Sequence, residues 1–150
     1  MSSADTTIEI IYASVASRPL NPEELHTLTA FAAQANTAMD VTGALVWDRG
    51  TFLHLLEDPT DVVDALFGRI SADYRHSRVC LISRETISRR TFAGHPLLWF
   101  HPTAMELSAI TGTDVFVTRG AGFARLGMSA VRNLLAAAWR SQTPALVDIR

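Results

Sequence analysis

A phenol, an imidazole and a carboxamide stand where strand and helix periodicity can bring them together. Tyr12 closes the run Thr7-Ile8-Glu9-Ile10-Ile11-Tyr12, Asn36 lies where a helical stripe should end, and His54 sits within Thr51-Phe52-Leu53-His54-Leu55-Leu56. Side chains alternate across a strand, so Tyr12 shares a face with Ile8 and Ile10, and His54 shares one with Phe52 and Leu56. Between a helix and a sheet, with walls of Ile8, Ile10, Leu45, Phe52 and Leu56, such groups can pass hydrogen bonds or a proton and suit a flat aromatic ligand. Each also has a plainer reading: Tyr12 as a core tyrosine with its hydroxyl at the rim, His54 as a satisfied cross-strand histidine, Asn36 as a helix cap. Arg75-His76 is the one basic spot suited to a phosphate, or else a solvated helix-end pair. Hydrolytic chemistry fits worse: no Ser-His-Asp order, no Gly-rich phosphate loop after a strand and no histidine pair at metal-ligand spacing is present.

The elements that carry these groups follow from the residue pattern. Thr7 to Tyr12 reads as a strand, and Ala13 to Arg18 as a link. Asn21 before Pro22-Glu23-Glu24 is a strong helix start, and Leu25, Leu28, Ala32 and Ala35 form its apolar stripe. Ala44-Leu45-Val46-Trp47 and Thr51 to Leu56 flank the turn Asp48-Arg49-Gly50, a hairpin signal. Asp58-Pro59-Thr60-Asp61 is expected to open a second helix carrying Val62, Val63, Leu66, Phe67 and Ile70. Arg78 to Ile87 and Leu97 to Phe100 read as strands, Ala104 to Ile110 as a short helix, Phe123 to Trp139 as a longer one, and Ser141 to Arg150 as a tail. The order β-α-β-β-α-β-β with C-terminal helices predicts an α+β fold close to the ferredoxin-like motif, in which two crossover helices cover one face of a sheet. The first and third strands then lie together at the centre, which brings Tyr12 and His54 under the helix that carries Asn36.

Composition narrows the partners. A chain of 150 residues with 48% hydrophobic residues can bury one real core. Its net charge of −2, from 13 basic and 15 acidic residues without a long basic run, argues against nucleic acid. The lone Cys80 lies in the apolar run Val79-Cys80-Leu81-Ile82, which makes it a buried filler and rules out an intramolecular disulfide and a cysteine metal cluster. No apolar run of membrane-spanning length and no signal-type leader is visible, so a cytoplasmic protein without a membrane partner is expected.

The same residues resemble a known family. Ile11-Tyr12-Ala13-Ser14, Asn36 ahead of Thr42-Gly43-Ala44-Leu45, Gly50-Thr51-Phe52 leading into Leu55-Leu56-Glu57, Arg75-His76-Ser77 and Arg89-Arg90-Thr91-Phe92 are similar, in order and spacing, to BLUF domains, the flavin-binding blue-light sensors. The resemblance runs from about Thr7 to Phe100 and implies a flavin-binding domain over residues 1–100 with a C-terminal helical extension over 101–150. It also implies FAD or FMN between the two helices, Tyr12 in the place of the redox tyrosine and Asn36 in that of the asparagine that bonds the ring. Phe52 becomes part of the ring's wall, and Arg75 and His76 polar contacts towards the ring and its phosphate-bearing tail.

Departures from the family pattern bear on the photochemistry. His54 stands at the position of the glutamine whose amide rearranges between tyrosine and flavin in the family. His95 and Leu97 replace the tryptophan and methionine common on the last strand, with Trp99 two residues on; Asp58 replaces a glycine, and Ala35 a second polar residue. An imidazole cannot reproduce the amide's tautomers or rotamers, but its donor and acceptor nitrogens can bridge a phenol and a flavin. The resemblance therefore implies a sensor with an altered photocycle, or else a light-insensitive or flavin-free interaction module. No nicotinamide site or second pocket suggests an enzyme. Output is expected through a downstream partner protein, with Leu97 to Phe100 and the helix around Val131, Leu134, Leu135, Ala138 and Trp139 as transmitters; that helix can equally pack on the outer sheet face, and a homo-oligomer is expected.

Overall fold

A computed structural model describes residues 7–16, 20–48, 50–59, 65, 67–69, 72, 76–111, 123 and 126–141, with backbone only for Pro59, His76, Ser77, Arg78 and Ala104. The strands are β1 (Thr7–Ala16), β2 (Thr42–Asp48), β3 (Thr51–Pro59), β4 (His76–Ile87) and β5 (Leu98–Phe100), and the helices are α1 (Pro22–Met39), α2 (Ala104–Thr111) and α3 (Met128–Ser141). Ala65, Phe67, Gly68, Arg69 and Ala72, between β3 and β4, are helical. The sheet order is β4-β1-β3-β2-β5. Its pairs are antiparallel except β2 with β5, which run parallel. This is the expected α+β, ferredoxin-like sheet, with β1 and β3 side by side.

β1 is longer than the alternation suggested, because Ala13 to Ala16 continue the pairing with β3 and β4 instead of leaving the sheet. β3 is longer too. Asp58 and Pro59, expected to open a helix, remain in the strand opposite Ile8 and Thr7. The Asp-Pro pair is a genuine helix-start signal, but here the Asp58 carboxylate is buried against Arg90 and holds the chain in the sheet.

α1 begins as its sequence dictates. The Asn21 side chain accepts from the Glu24 N–H at 2.8 Å, and the Glu24 carboxylate accepts from the Asn21 N–H at 3.2 Å, a reciprocal cap. The helix runs past Asn36 to Met39 and stops at Asp40, whose left-handed backbone (φ 58°) turns the chain into β2. Its buried face is Leu25, Thr29, Ala33 and Asn36, rotated from the expected apolar stripe. Thr29 can be buried there because its hydroxyl donates back to the His26 carbonyl at 3.1 Å.

Both sheet faces are covered. On the α1 face, Ile8, Ile10, Tyr12, Val41 and Leu56 form one cluster, with Met39 and Phe67 against it, and Leu25, Ala33, Leu45, Phe52 and Leu97 form another. On the outer face, Ile11, Ala13, Ala44, Val46, Leu53 and Leu55 pack under α2 and α3, where Leu107, Val131, Leu134, Leu135 and Ala138 are buried. α3 starts at Met128, later than Phe123, and its apolar face is spent on the sheet; Trp139 stays 39% exposed. Arg132 of α3 donates to the buried carboxylate of Glu9 at 2.8 Å and lies 3.6 Å from Glu85, tying the helix to β1 and β4. Cys80 is exposed, contrary to the buried role expected of it, and its neighbour Leu81 is 47% exposed, because β4 is an edge strand whose pairing with β1 is interrupted by register shifts.

Gly43 marks a close strand approach. A Cβ there would lie 1.9 Å from the Leu55 carbonyl oxygen, a backbone atom that cannot move alone. Gly43→Ala should therefore cost about 3 kcal/mol or more, read as a lower urea midpoint.

Candidate functional site

β1 and β3 set Tyr12 and His54 directly opposite each other. The Tyr12 hydroxyl oxygen lies 2.6 Å from His54 Nδ1, with ring centroids 5.2 Å apart. Both residues are buried. Burial pushes the Tyr12 phenol far above its ordinary pKa, so it keeps its proton. Where that O–H donates to the Nδ1 lone pair, a neutral His54 carries its own proton on Nε2. Phe67 meets the Tyr12 ring edge-on at 5.3 Å, and Leu45 stands opposite His54 on β2. The expected convergence of phenol and imidazole is thus present. Chemically, the pair is a phenol with one short hydrogen-bonded route for its proton.

Asn36 lies on the same face, buried, and is not the helix cap. Its Nδ2 donates to the Pro96 carbonyl at 2.9 Å, and its own carbonyl accepts from the Val41 N–H at 2.8 Å. Ile8, Ile10, Leu45, Phe52 and Leu56, the expected walls, are all buried on this face and divide between its two apolar clusters, with His54 between Phe52 and Leu56 along β3. Leu97 joins the Phe52 cluster. Trp99 stacks on Trp47 at 6.1 Å. His95 turns instead towards α3, its ring 5.3 Å from that of Trp139. Arg75 and the side chain of His76 lie outside the described residues.

In the sequence, two acids at the end of β3, Glu57 and Asp58, read as part of the family motif and as a helix start, without a role in holding neighbouring backbone. Glu57 is fully buried; Oε2 accepts from the Thr91 N–H at 2.6 Å, and Oε1 from the Phe92 N–H at 2.9 Å and the Thr42 hydroxyl at 3.0 Å. Asp58 pairs with Arg90, which also donates to the Asp40 carbonyl at 2.7 Å and the Thr42 hydroxyl at 3.2 Å. Arg90 also borders an open pocket of about 360 Å³ with Thr37, Thr42, Gly94 and Pro96. Among the described residues, no group of three or more His, Cys, Asp or Glu side chains could hold a metal ion, and no helix is long and apolar enough to cross a membrane.

Burial raises the Glu57 pKa more than its three donors lower it, and the facing Glu9 carboxylate adds to the rise. Above the ordinary value of 4.5 and up to the raised one, the unfolded chain has released this proton and the folded protein still holds it, so stability falls as pH rises through that interval. The urea midpoint should therefore fall more steeply above pH 4.5 in the parent than in Glu57→Gln; parallel profiles would contradict the shift.

Comparison with known proteins places this arrangement. The profile of the family described as "Sensors of blue-light using FAD" (BLUF) matches residues 7–97. Photoactivated adenylate cyclase subunit beta of Euglena gracilis is 32% identical over 103 residues, 68% of this chain and 12% of that protein. The chain spans about a tenth of the length of the curated relatives it matches. BlsA in its photo-activated state superposes with a TM-score of 0.74 at 17% identity, covering 93% of this chain and 99% of that one. BlrB, a BLUF protein in its dark state, superposes with a TM-score of 0.68 at 23% identity, covering 89% and 98%. At such identities the structural likeness is one of fold, and the profile, matching residues 7–97 with the strands and α1 described above, is what decides: the chain belongs to the BLUF family of blue-light sensors that use FAD.

Proposed function

We propose that this chain holds FAD, or FMN in its stead, on the α1 side of the sheet and works as a blue-light sensor whose switch is rebuilt around His54. The observation that carries the reading is the buried 2.6 Å bond between the Tyr12 hydroxyl and His54 Nδ1. The donor set on this face suits a flavin. A phenol, an imidazole and a carboxamide are the groups that bond ring carbonyls and nitrogens, and Ile8, Ile10, Leu45, Phe52 and Leu56 supply apolar walls. Tyr12, Asn36, Phe52 and His54 are the residues we assign to the ring, and Arg75 and His76 to its polar edge and phosphate-bearing tail.

A bound flavin supplies blue absorption and an acceptor for one electron. The chain's own part concerns one proton. A phenol that loses an electron becomes a strong acid, and Nδ1 is the base set to take its proton; His54 then carries a proton on both nitrogens. Unlike an amide, a ring in this role changes charge, so the pocket around β3 receives a cation where the family pattern has a neutral group that turns. We read the flavin as a chromophore, not as a redox partner for a substrate. Output passes through a partner protein or a second copy by way of β5 and α3, in line with the contact of His95 with Trp139.

An absorption spectrum, taken as purified and after FAD is added, should show a structured flavin band that changes reversibly under blue light. Tyr12→Phe should abolish the change. His54→Gln should create a long-lived red-shifted state, and an unaltered photoresponse in that variant would contradict the relay. Folded protein that takes up no FAD would favour the interaction-module reading. Asn36→Ala should weaken FAD binding about tenfold, the worth of one buried hydrogen bond, with the fold intact.

A further inference from the structure

We propose that Glu57 is a positioning residue for the Asn36 amide. It fixes the connection between β4 and β5, whose Pro96 carbonyl receives that amide, and so sets where Asn36 stands. The inference rests on the reading of Asn36 as a cofactor contact, and extends it to a residue that faces away from the site.

The chain of contacts is short. Glu57 grips the Thr91 and Phe92 N–H groups at 2.6 and 2.9 Å. The Phe92 carbonyl accepts from the His95 N–H at 2.9 Å, the His95 carbonyl accepts from the Gly43 N–H at 3.1 Å, and the next carbonyl, that of Pro96, takes the Asn36 amide at 2.9 Å. Arg90, held by Asp58 and the Asp40 carbonyl, braces the start of the same segment. The carboxylate thus holds the middle of the segment between Arg90 at its start and the Gly43 and Asn36 contacts at its end.

Strand geometry makes the residue more than a brace. His54 and Glu57 lie an odd number of residues apart on β3 and therefore project from opposite faces. A shift of β3 that accompanies a change at His54 carries the Glu57 carboxylate with it, and with that the carbonyl to which Asn36 is tied. Two residues of the polar trio are thus coupled by a group on the far side of the sheet.

Glutamine at 57 keeps one acceptor oxygen but turns an N–H donor towards the Thr91 N–H, which breaks one grip without changing shape. The test follows the Asn36 side-chain amide by ¹⁵N NMR in parent and Glu57→Gln, before and after FAD is added, with Asn36→Ala to identify the resonance. The amide resonance should move in Glu57→Gln in both states. FAD affinity should fall about three- to tenfold, and the double variant with Asn36→Ala should bind no worse than Asn36→Ala alone, because both changes act through one contact. An unmoved Asn36 resonance in folded Glu57→Gln, or strictly additive losses of affinity, would overturn the proposal. Should Glu57→Gln fail to fold, Glu57→Asp, which keeps the charge but draws the carboxylate back from the Thr91 and Phe92 N–H groups, decides by a shift of the same resonance or by none. Parent protein that binds no FAD would defeat the cofactor reading while leaving the resonance to judge the positioning.

Discussion

The antiparallel pairing of β1 with β3 is the constraint on which the rest depends. In the observed register Tyr12 meets His54 and Ile10 meets Leu56 on one face, while Ile11 meets Leu55 and Ala13 meets Leu53 on the other. A slip of β1 by one residue would exchange its two faces, sending the phenol under α3 and Ile11 and Ala13 into the polar site. Register is defended from both sides, because each face has its own apolar cluster and neither set would survive in the other's place. Two charged residues of the same pairing reinforce it: Glu9 and Glu57 stand opposite each other, and each is held by a different partner, Arg132 for one and the Thr91 and Phe92 N–H groups for the other.

Around that ladder the protein separates two tasks. The α1 face carries hydrogen-bonding groups among apolar walls. The outer face carries the larger core and receives α2 and α3. The connection between β4 and β5 touches both, since Pro96 meets Asn36 while Phe92 and His95 pack their rings against Trp139. The peptide segment is held by hydrogen bonds at several points, and its conformation is therefore set by partners drawn from β2, β3 and α1 together.

Much of this was legible in the residues. The alternation of β1, the hairpin of β2 and β3 and the Asn21-Pro22-Glu24 start of α1 have strong local causes, and the split βαβ order follows from them. The pairing of Tyr12 with His54 could be read from topology and a two-residue period. The inward turn of Asn36 was harder, because an apolar stripe omits Thr29, a polar residue whose hydroxyl is satisfied by its own helix. Asp58-Pro59 misled because a cap signal is local, whereas the pairing with Ile8 and the contact with Arg90 are not. The role of Glu57 left no mark in the residue pattern, since its strongest partners are main-chain N–H groups, and any residue but proline offers one.

The bond between Arg132 and Glu9 links residues 123 positions apart. Synthesis runs from β1 towards α3, so the strand at the heart of the sheet is made well before the helix that completes its outer face. Until Arg132 leaves the ribosome, Glu9 lacks the guanidinium that holds it in the finished fold, and burying its carboxylate beside Glu57 is more costly. The nascent chain can thus assemble the α1 face early, but the outer face of β1 stays wet until α3 arrives, and the emergence of that helix, not completion of the sheet, sets when the fold becomes whole.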